Sequence, residues 1–329
     1  MVSPTAWRLE APEQFVRCAG PDQSGRDLEP GQVLLRTLTG GICGSDLPYY
    51  RGARHEQLPD TTSPAGGFPG YPLHEVVGEV VVSRDPDLDV GCLMVGWAAS
   101  FDGLARYVVT RGRDVFAYDP TIGADEAVVL QPLACVMGAM NDIGDVTGAR
   151  VAVLGQGPIG LLFSHVAKQR GAAVVVGVDR VDRSDCSSEF GVDECVHSSI
   201  DRWAASLTAS EAPDLVIEAV GHQVGTLTSA IQGARAGGRV YYFGIPDDEV
   251  YPLNMKALLR KRLTLQSGWV LPDQRREALA QANAHLLAAP KLARSLITHT
   301  FDFDQVPEAF ALANVPRAGQ LKVTIRMDR

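Results

Sequence analysis

The sequence predicts an α/β protein of two domains, one β-rich and irregular, the other a doubly wound parallel sheet. Three observations carry this. The chain has 329 residues, about twice an ordinary domain length. Its first third is rich in glycine, proline and short β-type runs. From Arg150 onward, continuous apolar strands alternate with helical stretches, the pattern of a parallel sheet covered on both faces. With 46% hydrophobic and 21% charged residues, there is apolar material for two cores.

In chain order, QVLLRTL (32–38), EVVGEVVVS (75–83) and ARYVVT (105–110) read as strands separated by turn residues. Pro59 to Pro72, with four prolines and three glycines, reads as loop. Ala124 to Met140 has helical spacing and is expected to link the domains. VAVLG (151–155) then leads through a Gly-rich turn into a helix running to Ala167. AVVVGVD (173–179), DLVIEAVG (214–221) and GRVYYFGI (238–245) are further strands. A helix over 274–289 and a final strand in LKVTIRM (321–327) complete the chain, with no internal repeat.

The net charge is −9 and no long basic run exists, which argues against nucleic acid as a partner. Arg260-Lys261-Arg262 and Arg275-Arg276 read as solvated helix faces. The six cysteines, Cys18, Cys43, Cys92, Cys135, Cys186 and Cys195, form no CxxC pair. They fit a reducing compartment, and those without chemistry are expected to be small buried hydrophobes. No secretory signal and no membrane span is apparent, so a cytoplasmic protein is expected.

GQGPIG (155–160) matches G-x-G-x-x-G in the context it requires, directly after a strand and opening a helix. Gly155 permits the tight turn, Gly157 lets backbone approach a pyrophosphate, and Gly160 lets helix and strand pack closely. Pro158 and Ile159 belong to the same turn, and the helix N-terminus supplies N–H groups for phosphate. The second strand ends at Asp179, where a carboxylate accepts from the adenosine ribose hydroxyls and repels a 2′-phosphate. NAD is therefore expected over NADP. Arg180 and Arg183 pull the other way, since either can meet a 2′-phosphate or simply be solvated.

Cys43 lies in the glycine-rich turn GGICGSD (40–46), and His74-Glu75 in YPLHEVVGEV. Thiolate and imidazole suit zinc, and a catalytic zinc needs three protein ligands and an open position. These motifs stand in order with DGLARYVVT (102–110), QPLACVMGAM (131–140), GQGPIG, AGGRVYYFGIP (236–246), LTLQSGW (263–269) and GQLKVTI (319–325). In that order and spacing the chain resembles the zinc-dependent medium-chain dehydrogenase/reductase family of alcohol, sorbitol and threonine dehydrogenases.

The resemblance implies a GroES-like catalytic domain (1–132 and 272–329) interrupted by a Rossmann NAD-binding domain (133–271). It implies Cys43 and His74 as ligands of one catalytic zinc, with Glu75 beside the metal and Asp46 orienting groups around it. Ser45 matches the hydroxyl that bonds the substrate alcohol and passes on its proton. Gly221, Gly244, Ser267 and Trp269 match cofactor-side positions, together with Arg180. The implied reaction is hydride exchange between NAD(H) and a secondary alcohol or ketone, on a polyol, cyclitol or biosynthetic intermediate. A homodimer or homotetramer joined at the Rossmann sheet edge is also implied.

Three departures qualify this. The lobe with four closely spaced cysteines is missing, Cys92 being the only cysteine between Val90 and Tyr107, so no structural zinc is expected. The third ligand position is Gln131, a weak neutral donor, which leaves Glu75 or Gln131 to complete the site. Pro48 stands where a relay histidine is common. Pro48 and Gln131 favour an alternative, a zinc-free reductase of an activated double bond or quinone, against which Cys43 and His74 count. A dinucleotide-binding protein without turnover is a third reading. Trp97, Phe101, Tyr50 and Trp269 are candidates to line a substrate pocket or to be core residues. His55 reads as a surface histidine, and His165 and His222 as structural or cofactor-adjacent.

Overall fold

The computed structural model describes residues 5–21, 27–53 and 67–327. His55 and much of the Pro59–Pro72 loop lie outside the described residues. Two compact units emerge, one built from Met1–Ala134, Leu271–Pro316 and Gln320–Arg329, the other from Cys135–Val270 and Arg317–Gly319.

The chain begins with an antiparallel pair, β1 (Ala6–Ala11) and β2 (Gln14–Cys18). Next come β3 (Gln32–Gly41), a short 3-10 turn over Gly44–Asp46, α1 (Leu47–Tyr50) and β4 (Glu75–Ser83). β5 (Leu93–Trp97), β6 (Tyr107–Arg111) and β7 (Val115–Ala117) follow. The helix expected over 124–140 is two helices, α2 (Ala124–Ala127) and α3 (Leu130–Ile143), of which α3 carries the chain into the second unit.

The second unit holds β8 (Arg150–Leu154), α4 (Pro158–Gln169), β9 (Val174–Asp179), β10 (Glu194–His197) and α5 (Ile200–Ser206). It continues with β11 (Leu215–Glu218), α6 (Gly225–Gly233), β12 (Arg239–Tyr242), α7 (Met255–Lys261) and β13 (Thr264–Ser267). All six strands are parallel, in the order β10-β9-β8-β11-β12-β13. Strand order therefore reverses between β8 and β11, and a crevice opens at their carboxyl ends. The core is the inward-facing valines and leucines, such as Leu154, Val178 and Val216, packed on Trp203, Leu227 and Ile231.

The chain then returns to the first unit as α8 (Arg275–Ala288), α9 (Lys291–Leu296), β14 (Ile297–Asp302), α10 (Val306–Ala313) and β15 (Lys322–Arg326). There the order is β14-β15-β3-β4-β5-β7, with β6 also on β3. Period-two alternation and frequent glycine let this sheet curl around Leu73, Val76, Leu104, Phe310 and Ile325. β1–β2 is fastened to this core by Phe15, whose ring stacks on Tyr50 at 5.7 Å and meets Phe310 at 5.0 Å. The β-rich unit and the parallel sheet predicted from sequence are thus both present.

Several side chains take one of the roles the sequence leaves open, or a different role altogether. Tyr50 is 4% exposed and belongs to the core rather than to a pocket wall. Trp97 is also buried, under the Arg275 guanidinium at 4.7 Å from the ring, and Arg275 pairs with Asp114 at 2.8 Å. Arg275 therefore fastens α8 to the strands instead of facing solvent. Lys261 donates to the carbonyls of Ile231, Gln232 and Ala234, satisfying groups at the end of α6 that have no helical partner. Cys195 is exposed and Cys18, Cys92, Cys135 and Cys186 are only half-buried, unlike the buried hydrophobes expected. Among the described residues, no helix is long and apolar enough to cross a membrane.

Candidate functional site

Two sites are built from the predicted residues, one in each unit. In the β-rich unit, β3 delivers the chain into the turn that holds Cys43, and β4 opens directly after His74 with Glu75. β3 and β4 are antiparallel, with Gly41 opposite Glu75. A Cβ on Gly41 would lie 2.4 Å from Glu75 Oε2, so this glycine is needed for the carboxylate to fit. Register alone therefore brings two distant sequence motifs together. The thiol of Cys43, the imidazole of His74 and the carboxylate of Glu75 offer ligand atoms that all lie within 4.8 Å of one another.

Asp46 organises this cluster. It is fully buried. Its Oδ2 accepts the Cys43 backbone N–H at 2.9 Å, and its Oδ1 lies 2.7 Å from His74 Nδ1. A carboxylate there fixes Nδ1 as the protonated nitrogen and leaves Nε2 as the lone-pair donor. Burial by itself lowers the His74 pKa, but the charge and hydrogen bond of Asp46, followed by Cys43, outweigh it and hold it well above the ordinary value.

Glu75 is fully buried beside an equally inaccessible lysine, Lys322. The two form an ion pair, and Lys322 Nζ also donates to the Ile42 carbonyl at 3.0 Å. Burial lowers the Lys322 pKa, but Glu75 above all, then Cys43 and Asp46, raise it overall. Glu75 Oε2 is thus engaged by the Lys322 ammonium, whereas Oε1 has no hydrogen-bond partner among the described residues. Lys322 does not stand out in the sequence, because a lysine alternating with apolar residues in LKVTIRM looks solvent-facing, yet Lys322, Val323, Thr324 and Ile325 of β15 are all buried.

Ser45 is half-buried in the turn between Cys43 and Asp46. Gln131 is buried at the start of α3 in the same unit. Pro48 sits inside α1. Asp102 is a second residue that sequence reading passes over as chemistry. Its Oδ1 is buried with no hydrogen-bond partner among the described residues, and burial pushes its carboxyl up to about 7.

In the parallel-sheet unit the three glycines have distinct duties. Gly155 adopts φ +85°. A Cβ on Gly160 would stand 1.7 Å from the Gly155 carbonyl oxygen, whereas one on Gly157 would meet nothing within 4 Å. Gly157 caps α4 and Pro158, which has no N–H, begins it, so the remaining first-turn N–H groups, that of Ile159 among them, stand at a helix N-terminus beside the open space at Gly157. Asp179 ends β9, accepting from Gln156 N–H at 2.6 Å and from Val181 N–H at 2.8 Å. Both bonds aim the carboxylate along the Gly-rich turn.

Arg180 is exposed. Arg183 is neither solvated nor free for a phosphate, because it is 3% exposed and its Nη1 donates to the Arg317 carbonyl at 3.0 Å. Gly221 and Gly244 stand back to back where the loops after β11 and β12 meet, and a Cβ on Gly244 would be 2.1 Å from Gly221 N. Ser267 and Trp269 are exposed, Trp269 by 66%. His165 is buried in α4. His222 pairs with Asp247 at 2.5 Å.

Known proteins share this organisation. The zinc-binding dehydrogenase family profile matches residues 158–285. The D-xylulose reductase of Saccharomyces cerevisiae is 26% identical over 317 residues, covering 86% of both chains. The L-threonine 3-dehydrogenase of Bacillus licheniformis is 25% identical over 327 residues, covering 89% of this chain and 91% of that protein. Among solved structures, an Escherichia coli CFT073 alcohol dehydrogenase in complex with NADH superposes with a TM-score of 0.78 at 21% identity. That comparison covers 98% of this chain and 99% of the other. The fold is the GroES-like plus Rossmann arrangement. Residues 158–285 thus match the zinc-binding dehydrogenase family, and over most of its length the chain is similar to zinc-type oxidoreductases that act on CH–OH groups.

Proposed function

We propose that this protein is an NAD-dependent, zinc-using dehydrogenase of a secondary alcohol, with the β-rich unit as catalytic domain and the parallel-sheet unit as NAD-binding domain. The observation that carries the reading is the cluster of Cys43, His74 and Glu75 within 4.8 Å, with Glu75 Oε1 lacking a hydrogen-bond partner among the described residues. A soft thiolate, an imidazole and a carboxylate make a donor set suited to zinc with one position left open. Cys43, His74 and Glu75 would hold the ion, with Gln131 as the weaker further donor. A bound zinc supplies Lewis acidity toward a carbinol hydroxyl, and a bound nicotinamide supplies the hydride acceptor.

The remaining work falls to the chain itself. Asp46 keeps His74 in the tautomer that presents Nε2. Ser45 accepts the proton that the alcohol loses, and Pro48 has no group to carry it further, so the proton leaves Ser45 by another path. Gly157 and the N-terminus of α4 receive the pyrophosphate. Asp179 receives the adenosine ribose, and Arg183 is already engaged elsewhere, which supports NAD over NADP. The relatives support a secondary alcohol, since their names describe reduction of a ketose and dehydrogenation at carbon 3 of threonine. β13 is one of the two edges of the parallel sheet, with Thr264, Gln266 and Ser267 exposed. We place a homo-oligomeric contact there, and the protein in the cytoplasm.

Elemental analysis of the purified protein, compared with Cys43→Ala, tests the site. About one zinc per chain, lost in the variant along with NAD-linked oxidation of secondary alcohols, is expected. A wild-type chain that takes up no zinc even when it is supplied overturns the reading in favour of zinc-free reduction of activated double bonds.

A further inference from the structure

The geometry points to a substrate whose carbinol carbon bears an aryl or other planar apolar substituent, held by an aromatic wall of which Phe101 is the key member. The inference deepens the alcohol dehydrogenase reading and rests on it.

The Phe101 ring lies 5.0 Å from the His74 imidazole, tilted by 57°. Tyr49 meets Phe101 edge-on at 5.8 Å and lies 5.9 Å from Tyr71, which in turn lies 5.1 Å from Phe68. Tyr71 is buried and closes the back of the wall, while Tyr49, Phe68 and Phe101 are only partly buried. Aromatic surface therefore begins at a ligand of the candidate zinc site and extends away from it.

Backbone conformation strengthens the case. Phe101 has φ +57°, in the left-handed region that a bulky residue occupies only under strain and that Gly or Asn adopts easily. Its N–H is bonded to the Ala98 carbonyl at 2.9 Å and its carbonyl accepts from Leu73 N–H at 3.2 Å. The turn is thus fixed on both sides, and a phenyl ring is carried at a position where the backbone alone favours a smaller residue. Strain retained beside reacting groups marks a functional placement.

Such a wall discriminates by chemistry. A planar apolar group gains by leaving water for the aromatic faces. An open-chain polyol brought to the same faces loses water from hydroxyls that rings cannot hydrogen-bond. The site therefore favours an aryl carbinol over a pentitol, in contrast to the ketose-reducing relative.

The test compares kcat/KM for 1-phenylethanol and xylitol with NAD in the zinc-loaded wild type and in Phe101→Asn. Asparagine keeps the left-handed turn and removes the ring, and an unchanged Tm establishes that the variant is folded. The expected wild-type preference for 1-phenylethanol is about 100-fold, falling at least about tenfold in Phe101→Asn through KM rather than kcat. Calorimetric titration with acetophenone and with D-xylulose gives a readout independent of turnover. Equal or better use of xylitol, tighter binding of xylulose, or a preference unmoved in Phe101→Asn overturns the inference. If neither alcohol is oxidised, the dehydrogenase reading fails, and the two titrations still decide which ligand class the wall accepts.

Discussion

Lys322 reaches from β15 to form a buried ion pair with Glu75 at the start of β4, and its remaining hydrogen bond goes to the carbonyl of Ile42, next to Cys43. One lysine thereby ties together the two segments that supply the candidate metal ligands. Removing one partner of a buried pair leaves the other charge uncompensated. Lys322→Met is expected to destabilise the protein by about 3–5 kcal/mol. The double change Lys322→Met with Glu75→Gln should recover part of that loss, because neither charge then remains. Urea denaturation of the three chains measures this. Equal stability of the single variant and wild type would show that the pair contributes little.

Asp46 touches His74 rather than any position a metal would occupy. Asp46→Asn leaves the ligand set intact but weakens control of the imidazole tautomer. Zinc affinity should drop about 10–100-fold, read by competition with a chromogenic chelator. An unchanged affinity would mean that the burial of His74 fixes the ring without help.

The glycines of the Gly-rich turn separate folding from binding. Gly157→Ala places its methyl in open space, so Tm should hold while NADH affinity falls where the pyrophosphate must approach. Gly160→Ala drives a methyl into the Gly155 carbonyl and should lower Tm as well as binding. Thermal melts with fluorescence titration of NADH distinguish the two. The same loss of Tm in both variants would remove the distinction.

Asp179→Ala removes an acceptor from two backbone N–H groups as well as from the proposed ribose contact. NADH affinity is expected to fall at least about tenfold, the scale of one lost charge-assisted hydrogen bond. NADPH affinity should rise or stay level, since the repelling charge is gone. A parallel loss for both cofactors would assign Asp179 to loop structure alone.

Burial lifts the Asp102 carboxyl to about 7, with Oδ1 unpartnered among the described residues. A carboxyl whose folded pKa exceeds its unfolded value of about 4 binds more protons when folded. Its neutral form is thus tolerated at low pH, and stability declines as pH rises from about 4 to about 7. Asp102→Asn should be about 1–3 kcal/mol more stable than wild type at pH 8, the advantage shrinking toward pH 5. Denaturation across that range checks the sign.

Much of this protein is legible from sequence because the governing physics is local. Apolar runs alternating with helical stretches dictate a parallel sheet. The spacing of Gly155, Gly157 and Gly160 after a strand dictates the turn that fits a dinucleotide. Cys43, His74 and Glu75 are legible as chemistry, through their residue types and flanking motifs. Their mutual approach is decided only in the tertiary structure, where the antiparallel register of β3 and β4 sets Gly41 opposite Glu75. The same holds for Lys322, whose charge looks solvent-facing in LKVTIRM until β15 pairs with β3 and buries it. Arg183, Tyr50 and Trp97 make the converse point. Each has a side chain suited to a ligand, and each is committed to internal contacts by segments far away in sequence. Local sequence determines backbone conformation and residue chemistry, whereas burial and partnership depend on long-range pairing that no local pattern encodes.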